Sequence, residues 1–155
     1  MARALRVAAL TDAPAAFGST LAREQSLDEA AWRARLSGGA WFAALLPPAA
    51  DVRSDVVGVG LACGTPADDP RVRRLTAMWV APAERGSGVA DALVDRVLDW
   101  ARGDGGNSVQ LWVVATNVRA ISVYERHGFG LTGAHHPLES DPSVLQVEMT
   151  TASLS

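Results

Sequence analysis

Apolar residues recur every three or four positions across residues 89–102, where Val89, Leu93, Val97 and Trp100 lie beside Ala90, Val94, Leu98 and Ala101. Asp91, Asp95, Asp99 and Arg102 fall on the opposite side, so the pattern predicts an amphipathic helix ended by Gly103. A second helix is predicted over residues 119–127, stopped by Gly128. A third is predicted from Ser26, which has capping-box spacing to Glu29; Leu27, Ala31, Ala34 and Leu36 give it an apolar side up to Gly38 and Gly39. Shorter apolar runs between turn residues predict strands over residues 40–46, 56–63, 71–80 and 109–114. A final antiparallel pair is expected at residues 129–134 and 144–149, joined by a loop at 139–143. In the 71–80 strand Leu75, Ala77 and Trp79 alternate with Thr76, Met78 and Val80, so both faces carry apolar groups, as in a central strand. Pro47 and Pro48 open a polar loop. Residues 2–10 fit a strand or one face of a helix equally well, and Thr11-Asp12-Ala13-Pro14 ends whichever forms. Strands and helices alternate in an α/β order with antiparallel hairpins at both ends.

Composition narrows the partners. The 155 residues fit one domain, and a net charge of −3 gives no global attraction to nucleic acid or an anionic membrane. All 14 basic residues are Arg, which removes lysine chemistry. Cys63 is the sole cysteine, so no intrachain disulfide or thiolate metal cluster forms, no metal is expected, and a reducing, cytoplasmic compartment is the natural setting. No apolar run approaches the roughly 18 residues of a membrane span. The N-terminus lacks the layout of a signal peptide.

The candidate chemistry starts at Arg85-Gly86-Ser87-Gly88-Val89-Ala90, between the 71–80 strand and the 89–102 helix. Amides at a helix start have no intrahelical acceptor and lie at the positive end of the dipole, so such a turn suits a pyrophosphate. Gly86 and Gly88 let the main chain approach a ligand closely, and Arg85 adds a forked cationic donor. Asn117 and Tyr124 are two helical turns apart, so both can address one groove.

Together these segments closely resemble the two signature segments of the GNAT superfamily, the GCN5-related N-acetyltransferases. Arg85, Gly88 and Ala90 match its pyrophosphate loop, and Asn117, Ala120, Tyr124, Gly128 and Phe129 match its second motif; the resemblance covers about residues 40–150. It implies an α/β (mixed α+β) GNAT fold, a central mixed sheet of about six strands flanked by helices. One domain over 1–155 would carry acceptor-side helices at 1–39, strands with the loop and its helix at 40–102, and a CoA-binding, catalytic half at 107–150. It further implies acetyl-CoA as co-substrate, held by Met78, Trp79, Val80, Arg85, Gly86, Ser87, Gly88, Val89, Ala90, Asn117 and Tyr124. Main-chain groups of Met78 and Val80 would pair with pantetheine where this strand splays from the Leu111 strand, and a bulge there would aim an N–H at the thioester oxygen. Asn117 would pair with a pantetheine amide, or cap its helix. Tyr124, protonated with a pKa of about 10, would serve the departing thiolate, or simply pack.

The general base is open on sequence grounds. The 71–80 strand has no acidic residue, which leaves Glu24, Glu148 and His136, each also readable as a solvated surface group, or a water chain. Phe17, Ser19, Thr20, Trp41 and His136 are the expected acceptor-side residues. A covalent route through Cys63 lacks an identifiable base, so direct transfer in a ternary complex is expected. Residues 4–20 read as the end of the family's first helix running into the acceptor loop, so the family's first strand is expected to be absent. Either the start is late, or the 40–46 strand is an uncovered edge through which a homodimer could form. The expected activity is acetyl transfer to a primary amine of a small molecule. Transfer to a protein, and a non-catalytic acyl-CoA-binding module, are the competing readings.

Overall fold

The computed structural model describes residues 1–47 and 57–154. Residues 2–10 take the helical option: α1 (Ala2–Asp12) buries Leu5, Arg6, Ala9 and Leu10 as one stripe. The stripe packs with Phe17, Leu61 and Trp79 in a small core. A single 3-10 turn at Pro14–Ala16 leads to α2 (Leu21–Gln25), capped by the Thr20 hydroxyl on the Arg23 amide at 3.2 Å. The expected Ser26–Glu29 capping box does not form. Ser26 closes α2, and Asp28 caps α3 (Glu29–Ser37) by accepting from the Ala31 N–H at 2.8 Å. The anionic cap also faces the positive end of the helix dipole. The face of α3 that packs inward is carried by Trp32, not by the four smaller residues its spacing suggested.

Six strands follow among the described residues: β1 (Ala40–Leu46), β2 (Val57–Pro66), β3 (Val72–Val80), β4 (Ser108–Val114), β5 (Phe129–Leu138) and β6 (Asp141–Thr151). The expected strand start at Val56 and the loop from Pro48 lie outside the described residues. The sequence places β2's end at Cys63; it runs on because Gly64, Thr65 and Pro66 pair with Leu75, Arg74 and Arg73. The final hairpin is likewise longer than its apolar core, and its turn shrinks to Glu139 and Ser140. The sheet order is β1-β2-β3-β4-β6-β5, antiparallel except for β3 beside β4. No strand forms at residues 3–9, so the described sheet starts with β1, an edge strand paired only with β2.

A parallel neighbour requires a crossover, and α4 (Val89–Gly103) supplies it. Leu93, Val94, Val97, Leu98 and Ala101 press against one face of the sheet, joining Leu75, Val80, Leu111, Val113 and Met149 in the main core. α5 (Val118–Arg126) covers the same face and adds Tyr124. The opposite face of β2 and β3 lies under α1.

Two irregularities in β3 open the sheet and turn its side chains. Its ladder with β4 extends only from Val72–Ser108 to Arg74–Gln110, after which the two strands part. Its register with β2 also slips: Leu61 opposes Trp79 but Cys63 opposes Thr76, so Ala62 faces the bulged pair Ala77 and Met78. Ala77 sits at φ 55°, in left-handed conformation. The extra residue reverses strand parity. Leu75 and Val80 therefore face the α4 core while Trp79 faces the α1 core, which corrects the expected alternation in which Leu75, Ala77 and Trp79 share a side.

Candidate active site

Where β3 and β4 part, a groove of about 880 Å³ passes through the sheet. On the α4–α5 side it is lined by Arg85, Gly86, Gly88, Ala90, Asn117 and Tyr124. On the α1 side it is lined by Ala13, Ala16, Phe17, Trp79 and Trp112. The bulged segment, with Thr76, Ala77 and Met78, forms the wall between the two ends.

The turn before α4 has the form of an anion cradle. Gly86 and Gly88 adopt φ of 83° and 91°, conformations that an L side chain takes up only under strain, and a Cβ built on either meets no atom within 4 Å. The space beside them is open. Gly88 occupies the N-cap position of a 15-residue helix with no side-chain cap, so the first-turn amides remain available. These features fit the diphosphate of a CoA-type ligand, with the Arg85 guanidinium beside it. Arg85 is itself held: its Nε donates to the Val80 carbonyl at 3.1 Å and its terminal nitrogen to Asp12. Ser87 and Val89 do not line the groove, because the Ser87 hydroxyl donates to the Glu84 carbonyl at 2.6 Å and Val89 packs into the core.

α5 brings Asn117 and Tyr124 to the same groove, as their spacing predicts. The Asn117 side-chain Oδ1 accepts from the Ala120 N–H at 3.2 Å, so the residue caps its helix, while its side-chain N–H groups stay available. Tyr124 is 6% exposed and packs on Phe129 with ring centroids 5.7 Å apart. Burial pushes its phenol well above the ordinary tyrosine range, so the hydroxyl stays protonated at neutral pH. No described group accepts a hydrogen bond from it. The two helices are locked together by His127, whose Nε2 lies 3.0 Å from Asp91 and Nδ1 2.9 Å from Asp95. Hydrogen bonds from His127 and Arg126 hold the Asp91 carboxyl below its usual range.

The expected bases separate. Glu24 is fully buried and is gripped by Arg35 at 2.9 Å and Arg6 at 3.4 Å. It is neither a solvated group nor a part of the groove, and its role is to neutralise two arginines under α1 and α3. Glu148 lies directly across the β4–β6 ladder from Trp112 and shares its face. Its carboxylate accepts from Gln110 Nε2 at 2.6 Å and from the Thr132 hydroxyl at 2.9 Å. His136 lies against Trp112 with ring centroids 4.1 Å apart.

Of the expected acceptor-side residues, Phe17 reaches the groove and Ser19, Thr20, Trp41 and His136 do not, although His136 backs the Trp112 ring that does. Thr20 is a helix cap, the Ser19 hydroxyl is buried without a partner, and Trp41 packs beside the α1 core. Sequence reasoning missed Trp112 and Asp12. Alternation offered a signal for the first: Leu111 and Val113 face the core, which turns Trp112 outward at the point where the strands part. Asp12 carries no local signal, since its partners Trp79 and Arg85 lie 67 and 73 positions away.

Comparison with known proteins agrees with this arrangement. The family model described as "Acetyltransferase (GNAT) family" matches residues 8–129. Mycothiol acetyltransferase of Beutenbergia cavernae is 36% identical over 67 residues, 43% of this chain and 23% of that protein. A mouse protein named probable N-acetyltransferase family 8 member 5 is 37% identical over 81 residues, 50% of this chain and 36% of the relative. The matched segments thus span only a quarter to a third of these relatives' length. The putative acetyltransferase yncA of Salmonella typhimurium, solved with acetyl-CoA, superposes with a TM-score of 0.71 at 18% identity, covering 98% of this chain and 88% of that one. Since that family model spans most of the chain, from residue 8 to residue 129, the chain belongs to the GNAT family of acetyltransferases.

Proposed function

We propose that the protein moves an acetyl group from acetyl-CoA to a primary amine of a small molecule, by direct transfer within a ternary complex. The observation that carries this reading is the groove itself, which joins a diphosphate cradle, a protonated and unpartnered Tyr124 hydroxyl and an amine-accessible face through one gap in the sheet. Acetyl-CoA, when bound, supplies an acetyl group activated as a thioester. The amides of Gly86, Gly88, Val89 and Ala90 and the Arg85 guanidinium bind the diphosphate, and the Asn117 side-chain amide pairs with the pantetheine arm. The bulge at Ala77 and Met78 interrupts β3's pairing, which leaves a main-chain N–H to meet the carbonyl oxygen as it gains negative charge.

Amine nitrogen bonds to the acetyl carbon as the carbon–sulfur bond breaks. Tyr124 donates its proton to the departing sulfur and is reprotonated from solvent. The proton lost by the amine leaves on the opposite face through water beside Trp112, and Glu148, set back from the groove across the β4–β6 ladder from Trp112, is its final acceptor. Cys63 takes no part: it is 1% exposed and burial pushes its thiol up to about 11.

A small acceptor is favoured over a protein chain because the acceptor end is bridged. The Ser140 hydroxyl in the β5–β6 turn donates to the Phe17 carbonyl at 2.6 Å, and Arg23 pairs with Glu139 at 3.2 Å. The test is release of free thiol from acetyl-CoA with a panel of amines, alongside calorimetric titration of CoA. Amine-dependent thiol release supports transfer. CoA binding without release with any amine would leave a non-catalytic acyl-CoA-binding module.

A further inference from the structure

The charged side chains that line the groove are distributed unevenly. Arg85, Asp91, Arg119 and Arg126 all belong to the turn before α4, to α4 or to α5. The α1 end is lined instead by Ala13, Ala16, Phe17, Trp79 and Trp112, with Thr76 as its polar group. The carboxylate nearest in sequence to this wall, Asp12, is already engaged by Arg85 and by the Trp79 indole N–H at 2.9 Å, so it does not offer a free anion to a cationic substrate. Glu148 does not line the wall and is satisfied by Gln110 and Thr132. Both flanking aromatic residues are fixed. His136 backs the Trp112 ring, and the Arg6 guanidinium lies 4.7 Å from the Phe17 ring centroid.

Resting on the acetyl-transfer reading of this groove, we infer that the acceptor is an amine carried on an apolar, ring-sized body that packs against Trp112 and Phe17, with no second cationic group. The body gains by leaving water for an apolar wall. A multiply charged amine would lose hydration there and find no free carboxylate among the described lining residues in return. The same wall favours the neutral form of the amine, which is the nucleophile, because desolvation disfavours the ammonium.

The experiment compares phenethylamine, spermidine, an aminoglycoside and a short peptide with a free N-terminus as acceptors at saturating acetyl-CoA. Each is measured with the parent protein and with Trp112→Ala and Trp112→Phe. Phenethylamine should give the highest kcat/KM, by about tenfold or more over spermidine. Trp112→Ala should lower that value about tenfold, through KM, and Trp112→Phe should keep most of it. CoA affinity by calorimetry should be unchanged in both, which also certifies that they are folded. Preference for spermidine, the aminoglycoside or the peptide, or a KM that does not rise in a Trp112→Ala variant that binds CoA, overturns the inference and leaves acetyl transfer standing. Thiol release with none of the amines despite CoA binding overturns the transfer reading, and this inference with it.

Discussion

Asp12, the last residue of α1, holds the guanidinium of Arg85, the first residue of the glycine-rich turn, and the same carboxylate oxygen accepts the Trp79 indole N–H at 2.9 Å. One carboxylate thereby ties the cofactor-side loop to the helix that covers the acceptor side. On the proposed reading of the loop as a diphosphate cradle, that negative charge beside Arg85 competes with the ligand for the same donors.

Asp12→Asn should therefore tighten CoA binding about threefold to tenfold, because Arg85 is released while Trp79 keeps an oxygen acceptor. Arg85→Ala should weaken it. Calorimetry at two salt concentrations checks both, and the gain should shrink at high salt. Weaker binding by Asp12→Asn would show that the carboxylate positions Arg85 instead of competing for it.

Gly88 and Gly105 separate backbone strain from ligand clash. Both have positive φ, 91° and 76°, and a Cβ on either meets no protein atom within 4 Å, but Gly88 lines the groove and Gly105 follows the far end of α4. Alanine at each should cost about 1 kcal/mol in denaturant unfolding. CoA affinity should fall in Gly88→Ala alone. Equal affinities would remove the turn from the binding site.

The buried carboxylate under α1 is structural. Glu24→Gln leaves Arg6, 4% exposed, and Arg35 without their counter-charge, and should destabilise the protein by about 3 kcal/mol or more while the folded variant still binds CoA. Glu148→Gln should do the reverse, leaving the unfolding midpoint nearly unchanged and lowering kcat at neutral pH. Equilibrium unfolding and steady-state kinetics on the two variants decide the assignment.

Cys63 gives the pH dependence with a clear sign. Its thiol pKa rises from 9.0 to about 11 on folding because burial disfavours the thiolate. The native state therefore holds the proton more tightly, so this contribution to stability is intact below about pH 9 and is lost as pH rises toward 11. Cys63→Ala should flatten that alkaline decline. In the native parent the thiol should resist alkylation at pH 8 and react fully in denaturant, and no acetyl adduct should accumulate with acetyl-CoA.

α4, α5 and the glycine turn were legible because each rests on local spacing, in α4's periodic stripe, two glycines at its start, and Asn117 two turns from Tyr124; α1 was open between strand and helix, and the short α2 carried no periodic signal. What escaped depends on distant partners. An alanine at the bulge carries no signal for positive φ, yet Ala77's extra place in β3 turns Trp79 to the other face. The parting of β3 from β4 after Gln110 is set by register, and it makes Trp112 a wall residue. Glu24 could not be read as buried, since Arg6 and Arg35 reach it from two other helices. Ser26 resembled a cap by spacing, but Asp28 lay closer to the true helix start and won.

Tyr124 offers the most direct test of the transfer mechanism. Tyr124→Phe removes one oxygen from a buried ring that packs on Phe129, so folding and CoA affinity should be preserved. The measurement is amine-dependent thiol release at saturating acetyl-CoA, under conditions where the chemical step limits. With Tyr124 as the proton donor to sulfur, kcat should fall about 10²-fold with little change in KM for acetyl-CoA. Turnover at nearly the parent rate would contradict that role and reduce Tyr124 to a packing residue.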